Sequence, residues 1–343
     1  MIRKFERNIR IAVSPICNMN CVYCVGDNRR INPRRVAAME DIRISPLNCG
    51  CISTEQLLRM LEVFYKVGFN GITLTGGEPM INKNWDCIID SAASIGFSRR
   101  EITTNGLLLG EYCNEHNGLP KLTTIKVSFD TAQKESFNVI TGGDYFDTVV
   151  KSVRIARKYI DNIRANRVML RSKMDDLSEY LLFCAENGFS SANLMELYAY
   201  PDEEWSAEER EFFIRQYVPY RETFDALIRI GVIDVSRHRY GHSVKMNNGF
   251  KVLATDSTYT IRDNECKTCK VFCQQGKFTV RIATDGTITM CPNFNGKLYS
   301  INGIECLENG TLEEKIIPMF ESLAYTPEED AFRYFLCRHN IEL

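Results

Sequence analysis

The chain has 343 residues, 44% hydrophobic and 25% charged, with 42 Lys and Arg against 44 Asp and Glu for a net charge of −2. This composition suits a globular protein of about two domains and argues against general nucleic-acid or anionic-membrane binding. No run of eighteen apolar residues exists and MIRKFERNIR has no apolar h-region, so neither a transmembrane helix nor a secretory signal is expected, and a cytoplasmic location is.

The first predicted strand is Ile9–Val13, and Cys17, Cys21 and Cys24 follow directly. Gly26–Pro46 reads as a long loop holding Arg29, Arg30, Arg34 and Arg35, either a solvated linker or an anion-binding lid. Cys49 and Cys51 form a C-x-C pair whose spacing alone says little. Ser53 with Gln56 is a capping box, opening a helix with apolar Leu57, Leu58, Leu61, Phe64 and Tyr65. Strands are predicted at Gly71–Thr75, Arg100–Thr104, Thr124–Phe129, Asn166–Arg171 and Ala192–Leu197. Helices are predicted at Tyr145–Tyr159, Leu177–Asn187 and Ala207–Ile230. The acidic residues Asp202, Glu203, Glu204, Glu208 and Glu209 suit a solvated helix start. Six strands alternating with helices predict an α/β fold with a parallel sheet, open or partly closed, whose chemistry lies at the carboxyl ends of the strands.

Beyond residue 240 strands lack long helices. His238 and His242 flank a loop that either lines a cavity or is unremarkable surface. Phe278–Ala283 and Thr287–Met290, joined at Asp285-Gly286, predict a hairpin. Helices are expected near Thr311–Leu323 and Glu328–Leu336.

The 14 cysteines are distributed unevenly. Without an export signal they read as metal ligands or buried thiols rather than disulfides. Cys17-x3-Cys21-x2-Cys24 sits at the carboxyl end of the first strand. Three thiolates there can hold three irons of a [4Fe–4S] cubane and leave the fourth iron open. A structural zinc would normally take four ligands, and no His is near: the four lie at 116, 238, 242 and 339. Cys266, Cys269, Cys273 and Cys291 form the second group. Its spacing leaves a four-cysteine zinc site open beside an iron–sulfur cluster. The remaining seven, among them Cys184, Cys306 and Cys337, read mostly as small core hydrophobes.

The three-cysteine motif, with Tyr23 before its last Cys, resembles the radical S-adenosylmethionine (SAM) superfamily. Thr75-Gly76-Gly77-Glu78-Pro79 after the second strand resembles that superfamily's SAM-binding GGEP motif. The resemblance implies a partial (β/α)6 TIM barrel with a C-terminal auxiliary-cluster region that contains a β-hairpin. It divides the chain into a barrel at 1–235 and a cluster domain at 236–343. It also implies that the open iron chelates SAM, that one electron cleaves the sulfonium, and that a 5′-deoxyadenosyl radical abstracts hydrogen from carbon. An external donor such as flavodoxin or ferredoxin would supply the electron.

Thr103-Thr104-Asn105-Gly106, Val127-Ser128-Phe129-Asp130 and Ile140-Thr141-Gly142 are similar to the GTP 3′,8-cyclase branch. That branch implies SAM contacts from Tyr23, Gly77 and Ser128. We take Gly76, Glu78, Pro79, Thr104, Asn105 and Asp130 as further cofactor-binding candidates, Glu78 as an acceptor for the methionine ammonium. Val280–Gly286 with Cys291 resembles the Twitch and SPASM auxiliary-cluster signature. The branch implies triphosphate contacts from Arg10 and Arg281. Thr73, Ala165 and Thr279, however, stand where the branch carries cations, and the sequence ends Asn340-Ile341-Glu342-Leu343 without its Gly-Gly tail. Three missing cations remove charge-assisted bonds worth about 1.5–3 kcal/mol each, with Arg167 and Arg171 as possible replacements. The leading expectation is therefore a radical SAM oxidoreductase with an auxiliary [4Fe–4S] cluster, which epimerises, dehydrogenates or cyclises a small sugar, nucleoside or related intermediate. The GTP cyclase itself, a peptide maturase and a non-enzymatic cluster-bearing interaction protein are the alternatives.

Overall fold

The computed structural model describes residues 8–24, 51–198, 207–238, 241–256, 261–262, 279–291, 300–321 and 324–325. In chain order the elements begin β1 (Asn8–Ser14), α1 (Thr54–Lys66), β2 (Gly71–Gly76), α2 (Trp85–Ile95), β3 (Arg99–Thr104), α3 (Leu109–His116) and β4 (Thr124–Ser128). Next come α4 (Lys134–Thr141), α5 (Phe146–Ala156), β5 (Ile163–Val168), α6 (Leu177–Glu186), β6 (Ser191–Met195), α7 (Ala207–Gln216) and α8 (Tyr220–Gly231). The chain continues with β7 (Val232–His238), β8 (Gly241–Met246), β9 (Lys251–Thr255), β10 (Ile261–Arg262), β11 (Val280–Ile282) and β12 (Thr287–Thr289). β13 (Ser300–Asn302), α9 (Gly303–Glu308), α10 (Leu312–Glu321) and β14 (Ala324–Tyr325) complete it. The fold is α/β with parallel strands, as the alternation requires. Among the described residues no helix is long and apolar enough to cross a membrane.

The chain divides into two compact units. The first comprises 1–128, 138–163 and 279–321, with strand order β13-β12-β11-β1-β2-β3-β4. β11, β1, β2, β3 and β4 run parallel, while β12 and β13 add on antiparallel. Alternation sets the two faces of this sheet. Ile9, Ile11, Ile72, Leu74, Ile102, Ile125, Val127, Val280 and Ile282 are buried and apolar. Asn8, Arg10, Thr73, Glu101 and Arg281 occupy the alternate positions and make the other face polar. The Ser53 capping box forms as the sequence requires: its Oγ accepts from Gln56 N at 3.1 Å, and its N–H donates to the Gln56 side chain at 3.2 Å. α1 buries Leu57, Met60, Leu61 and Phe64. The second unit comprises 129–137, 164–278 and 322–343, with strand order β5-β6-β9-β8-β7. β5, β6 and β9 are parallel, and β7–β8–β9 is an antiparallel meander.

Three expectations shift. The predicted helix Ala207–Ile230 is two helices, because Pro219 lacks an N–H and disfavours the helical conformation of the residue before it. The fifth strand lies at Ile163–Val168, three residues earlier than expected, and a 3-10 turn at Arg171–Lys173 follows it. The meander begins at Val232 rather than after 240. The predicted helix at Glu328–Leu336 lies outside the described residues.

Candidate active site

The cysteine loop is held by backbone. β1 and β2 extend their ladder past the strand ends through Gly77 N to Ser14 O and Glu78 N to Ile16 O, both 2.7 Å. A Cβ on Gly77 would lie inside van der Waals contact of Ile16 O, so only glycine lets the two loops close. On the other side, Asn20 N and Val22 N donate to Thr141 O and Ile140 O, both at 3.0 Å. Gly142 follows with φ 79° beside Asn20 O. The Ile140-Thr141-Gly142 motif thus clamps the loop through main-chain atoms. Asn82 Nδ2 donates to Val13 O at 2.7 Å and fixes the end of β1.

Glu78 is 1% exposed, and its carboxylate accepts from Thr104 Oγ1 at 2.7 Å, Asn105 N at 2.7 Å and Met80 N at 3.1 Å. Burial pushes its carboxyl up to about 7 against the lowering effect of those donors. It ties the ends of β2 and β3 together, with three acceptor directions already taken. Asn105 continues the tie: its Nδ2 donates to Asn18 Oδ1 at 2.6 Å and reaches Cys17 Sγ at 3.8 Å, while its Oδ1 accepts from Leu107 N at 3.1 Å. Met19 N also donates to Cys17 Sγ, at 3.4 Å. Burial pushes the Cys17 thiol up to about 11, and the charges of Glu78 and Cys24 add to it, against both hydrogen bonds. Cys21 is half-buried and Cys24 exposed, with Cys24 N bonded to Cys21 O at 3.1 Å. Tyr23 and Ser128 are half-buried, and Pro79 is buried at the start of a 3-10 turn.

Among the described residues no three Cys, His, Asp or Glu side chains converge on one metal ion. A cubane takes one thiolate per iron, so its ligands stand apart around the cluster. Three thiols on one clamped loop, one of them receiving two N–H donors, fit that group. Sequence reasoning missed Ser14, Ile16 and Asn18, whose contributions are backbone oxygens and one small amide with no distinctive signature.

The polar face runs from this loop along the strands. Arg10 pairs in register with Thr73 on one side and Arg281 on the other. Thr73 is engaged: its Oγ1 accepts from Asn8 Nδ2 and donates to Glu101 Oε2, both at 3.0 Å. Glu101, 5% exposed, also meets Lys126 Nζ at 2.6 Å and Arg99 Nε at 3.2 Å. Burial would raise its carboxyl, but Lys126 and Arg99 outweigh that and hold it at about 2. Because β12 runs antiparallel to β11, with Thr289 opposite Arg281, Cys291 lies toward the amino ends of the parallel strands, opposite the Cys17–Cys24 loop. Cys291 N bonds Thr289 Oγ1 at 3.1 Å. Cys266, Cys269 and Cys273 lie outside the described residues.

In the second unit Asp130 is buried, and its Oδ1 accepts from Val168 N at 2.8 Å. Arg167 is fully buried rather than on a polar face. Its Nη2 meets Asp176 Oδ1 at 2.6 Å and Lys173 O, and its guanidinium lies 4.6 Å from the Tyr180 ring centroid. The strand register turns it under α6. Arg171 pairs with Glu222. His242 stacks with Tyr220 and packs at a tilt against Phe224, and its Nδ1 bonds Tyr220 Oη.

The family model of the radical SAM superfamily matches residues 11–184. The molybdenum cofactor biosynthesis protein moc-5 of Caenorhabditis elegans is 24% identical over 89% of this chain and 47% of its own length. A GTP 3′,8-cyclase of Stenotrophomonas maltophilia is 30% identical over 53% of this chain and 52% of its own. The matches thus span about half the length of these two relatives. A probable GTP 3′,8-cyclase of Pyrococcus abyssi is 25% identical over 94% of this chain and 96% of its own. Streptococcus suis SuiB bound to S-adenosylmethionine superposes with a TM-score of 0.56 at 17% identity, covering 89% of this chain and 63% of that one. Native anSMEcpe with bound AdoMet gives 0.54 at 14% identity, covering 92% and 83%. These two likenesses concern the fold.

Proposed function

The chain belongs to the radical SAM superfamily, and from that premise we propose that it is a cyclase acting on a purine nucleoside triphosphate, joining the 3′ and 8 positions as the names of its relatives describe. As a member of that superfamily it is an enzyme that uses SAM and a [4Fe–4S] cluster, which sets aside the non-enzymatic reading. The finer assignments are ours. Cys17, Cys21 and Cys24 hold the SAM-binding cluster. Cys266, Cys269, Cys273 and Cys291 hold an auxiliary [4Fe–4S] cluster in a Twitch- or SPASM-like region. Residues 1–235 serve SAM chemistry and 236–343 the auxiliary cluster. A flavodoxin or ferredoxin delivers the electron. When bound, the first cluster supplies the electron that cleaves SAM.

The protein's own contribution is positioning. Gly76 and Gly77 let the end of β2 close against Ser14 O and Ile16 O, which sets the cysteine loop beside the segment that would bind SAM. Tyr23, Gly77 and Ser128 would contact SAM, as the resemblance to the cyclase branch implies. The observation that carries the substrate reading is the register of Arg10 beside Arg281 on one polar face, between the Cys17 loop at one end of the strands and Cys291 at the other. Two forked guanidiniums there suit phosphate oxygens.

A second reading is favoured by Thr73. Where the cyclase branch carries a cation, this chain places a hydroxyl bonded to the Glu101 carboxylate. A hydroxyl brings no charge to a phosphate, and Lys126 and Arg99 are engaged by Glu101, which favours a less anionic small substrate, to be epimerised, dehydrogenated or cyclised. Anaerobic turnover with GTP decides between the two. The first reading expects 5′-deoxyadenosine and a cyclised nucleotide, with loss of the product in Arg281→Ala. SAM cleavage unaffected by GTP, with no nucleotide product, selects the second.

A further inference from the structure

We infer that Asn105 is a positioning residue for the SAM-binding cluster: its side-chain amide donates to the Cys17 sulfur and helps set the cluster's reduction potential. The inference rests on the reading of Cys17 as a cluster ligand. The network fixes how this amide points. Oδ1 is taken by Leu107 N, so Nδ2 must face the cysteine loop. Its two N–H groups have one acceptor each, Asn18 Oδ1 at 2.6 Å and Cys17 Sγ at 3.8 Å. The residue's own N–H is held by Glu78 Oε2 at 2.7 Å, inside a carboxylate that Thr104 and Met80 also grip. A line of directed bonds therefore runs from the buried Glu78 through Asn105 to one sulfur. It reaches that sulfur from β3, whereas the other donor, Met19 N, belongs to the cysteine loop itself.

Donors to a ligating sulfur stabilise the extra negative charge of the reduced cluster and raise its potential. Removing the amide should therefore make the cluster harder to reduce. Asn105→Asp is isosteric and keeps the Leu107 bond. Asn18 turns its own amide to donate to the new oxygen, so the loop closes as before with an acceptor toward the sulfur.

The test is a redox titration of the reconstituted protein followed by electron paramagnetic resonance, using the signal that changes on adding SAM. Asn105→Ala and Asn105→Asp are expected to shift the reduction equilibrium about tenfold toward the oxidised form, a fall of about 59 mV for one electron. Asn82→Ala, which removes a loop anchor without touching a sulfur, should leave the potential alone. A potential equal to wild type in either folded Asn105 variant overturns the inference. Iron and sulfide analysis of Cys17→Ala tests the underlying reading separately: retention of the SAM-responsive cluster there refutes Cys17 as a ligand and leaves the Asn105 result interpretable by itself.

Discussion

Two buried glutamates on one sheet unit carry opposite charge chemistry. Glu78, at the carboxyl end of β2, is held by two backbone N–H groups and a hydroxyl, and burial leaves its carboxyl raised to about 7. Glu101, within β3, is held by a lysine, an arginine and Thr73, and its carboxyl is lowered to about 2. Neutral donors orient a carboxylate without repaying its desolvation, whereas cations repay it. The first arrangement ties the ends of β2 and β3 to the cysteine loop. The second closes a charge cluster on itself and withdraws Lys126 and Arg99 from a ligand.

The sharpest way to break the contrast is to remove Glu101. Glu101→Ala strands the Lys126 ammonium, which is only 18% exposed, and the variant should lose about 3–5 kcal/mol in urea unfolding. A loss near zero would show that the cluster is fully solvated. Glu78→Gln keeps the shape but sets an amide against at least one N–H or hydroxyl donor. It should lose about 1–3 kcal/mol and bind less iron after reconstitution, because the Thr104 and Asn105 ties loosen. Retention of full iron would remove Glu78 from the site's support.

The two glutamates should also give opposite pH dependence. Glu101 stays ionised in the fold far below the roughly 4.3 of an unfolded glutamate. Its stabilisation is complete above about pH 5 and is lost as pH falls toward 2. The stability gap between wild type and Glu101→Gln should therefore shrink on acidification. Glu78 keeps a proton that the unfolded chain releases, so its contribution is present at low pH and lost as pH rises through about 7. The cost of Glu78→Gln should be larger at pH 5 than at pH 8. Parallel slopes for both variants would contradict the assignment of donors. The smallest expected effect is at the loop clamp. Gly142→Ala forces a side chain to φ 79° against Asn20 O, costing about 1 kcal/mol and accelerating iron loss to a chelator.

Much of the site's identity was legible in the residues. Three cysteines after a strand and Gly-Gly-Glu-Pro after the next point to the superfamily whose family model matches, and the alternation of strands with helices points to the parallel α/β sheet. The connections were not. The role of Ile140-Thr141-Gly142 is carried by carbonyl oxygens, which every residue has. Thr73 looked like a missing cation, because nothing local says that Glu101 and Lys126, on neighbouring strands, complete its surroundings. Arg167 reads as an available cation because its burial is set by tertiary packing that the local sequence does not show. Its partner Asp176 lies nine residues on, across a turn, and the strand register that buries it depends on packing under α6. Pro219 was visible but was outweighed by the apolar period on either side.

The clamped Cys17–Cys24 loop is proposed to hold the cluster that activates SAM. The decisive experiment is anaerobic reconstitution with iron and sulfide, addition of SAM and dithionite, and chromatographic detection of 5′-deoxyadenosine. Wild type is expected to form it, Cys17→Ala to form none, and Cys291→Ala to form it still. A fully iron-loaded wild-type protein that forms none, or a Cys17→Ala variant that forms it at the wild-type rate, would contradict the claim.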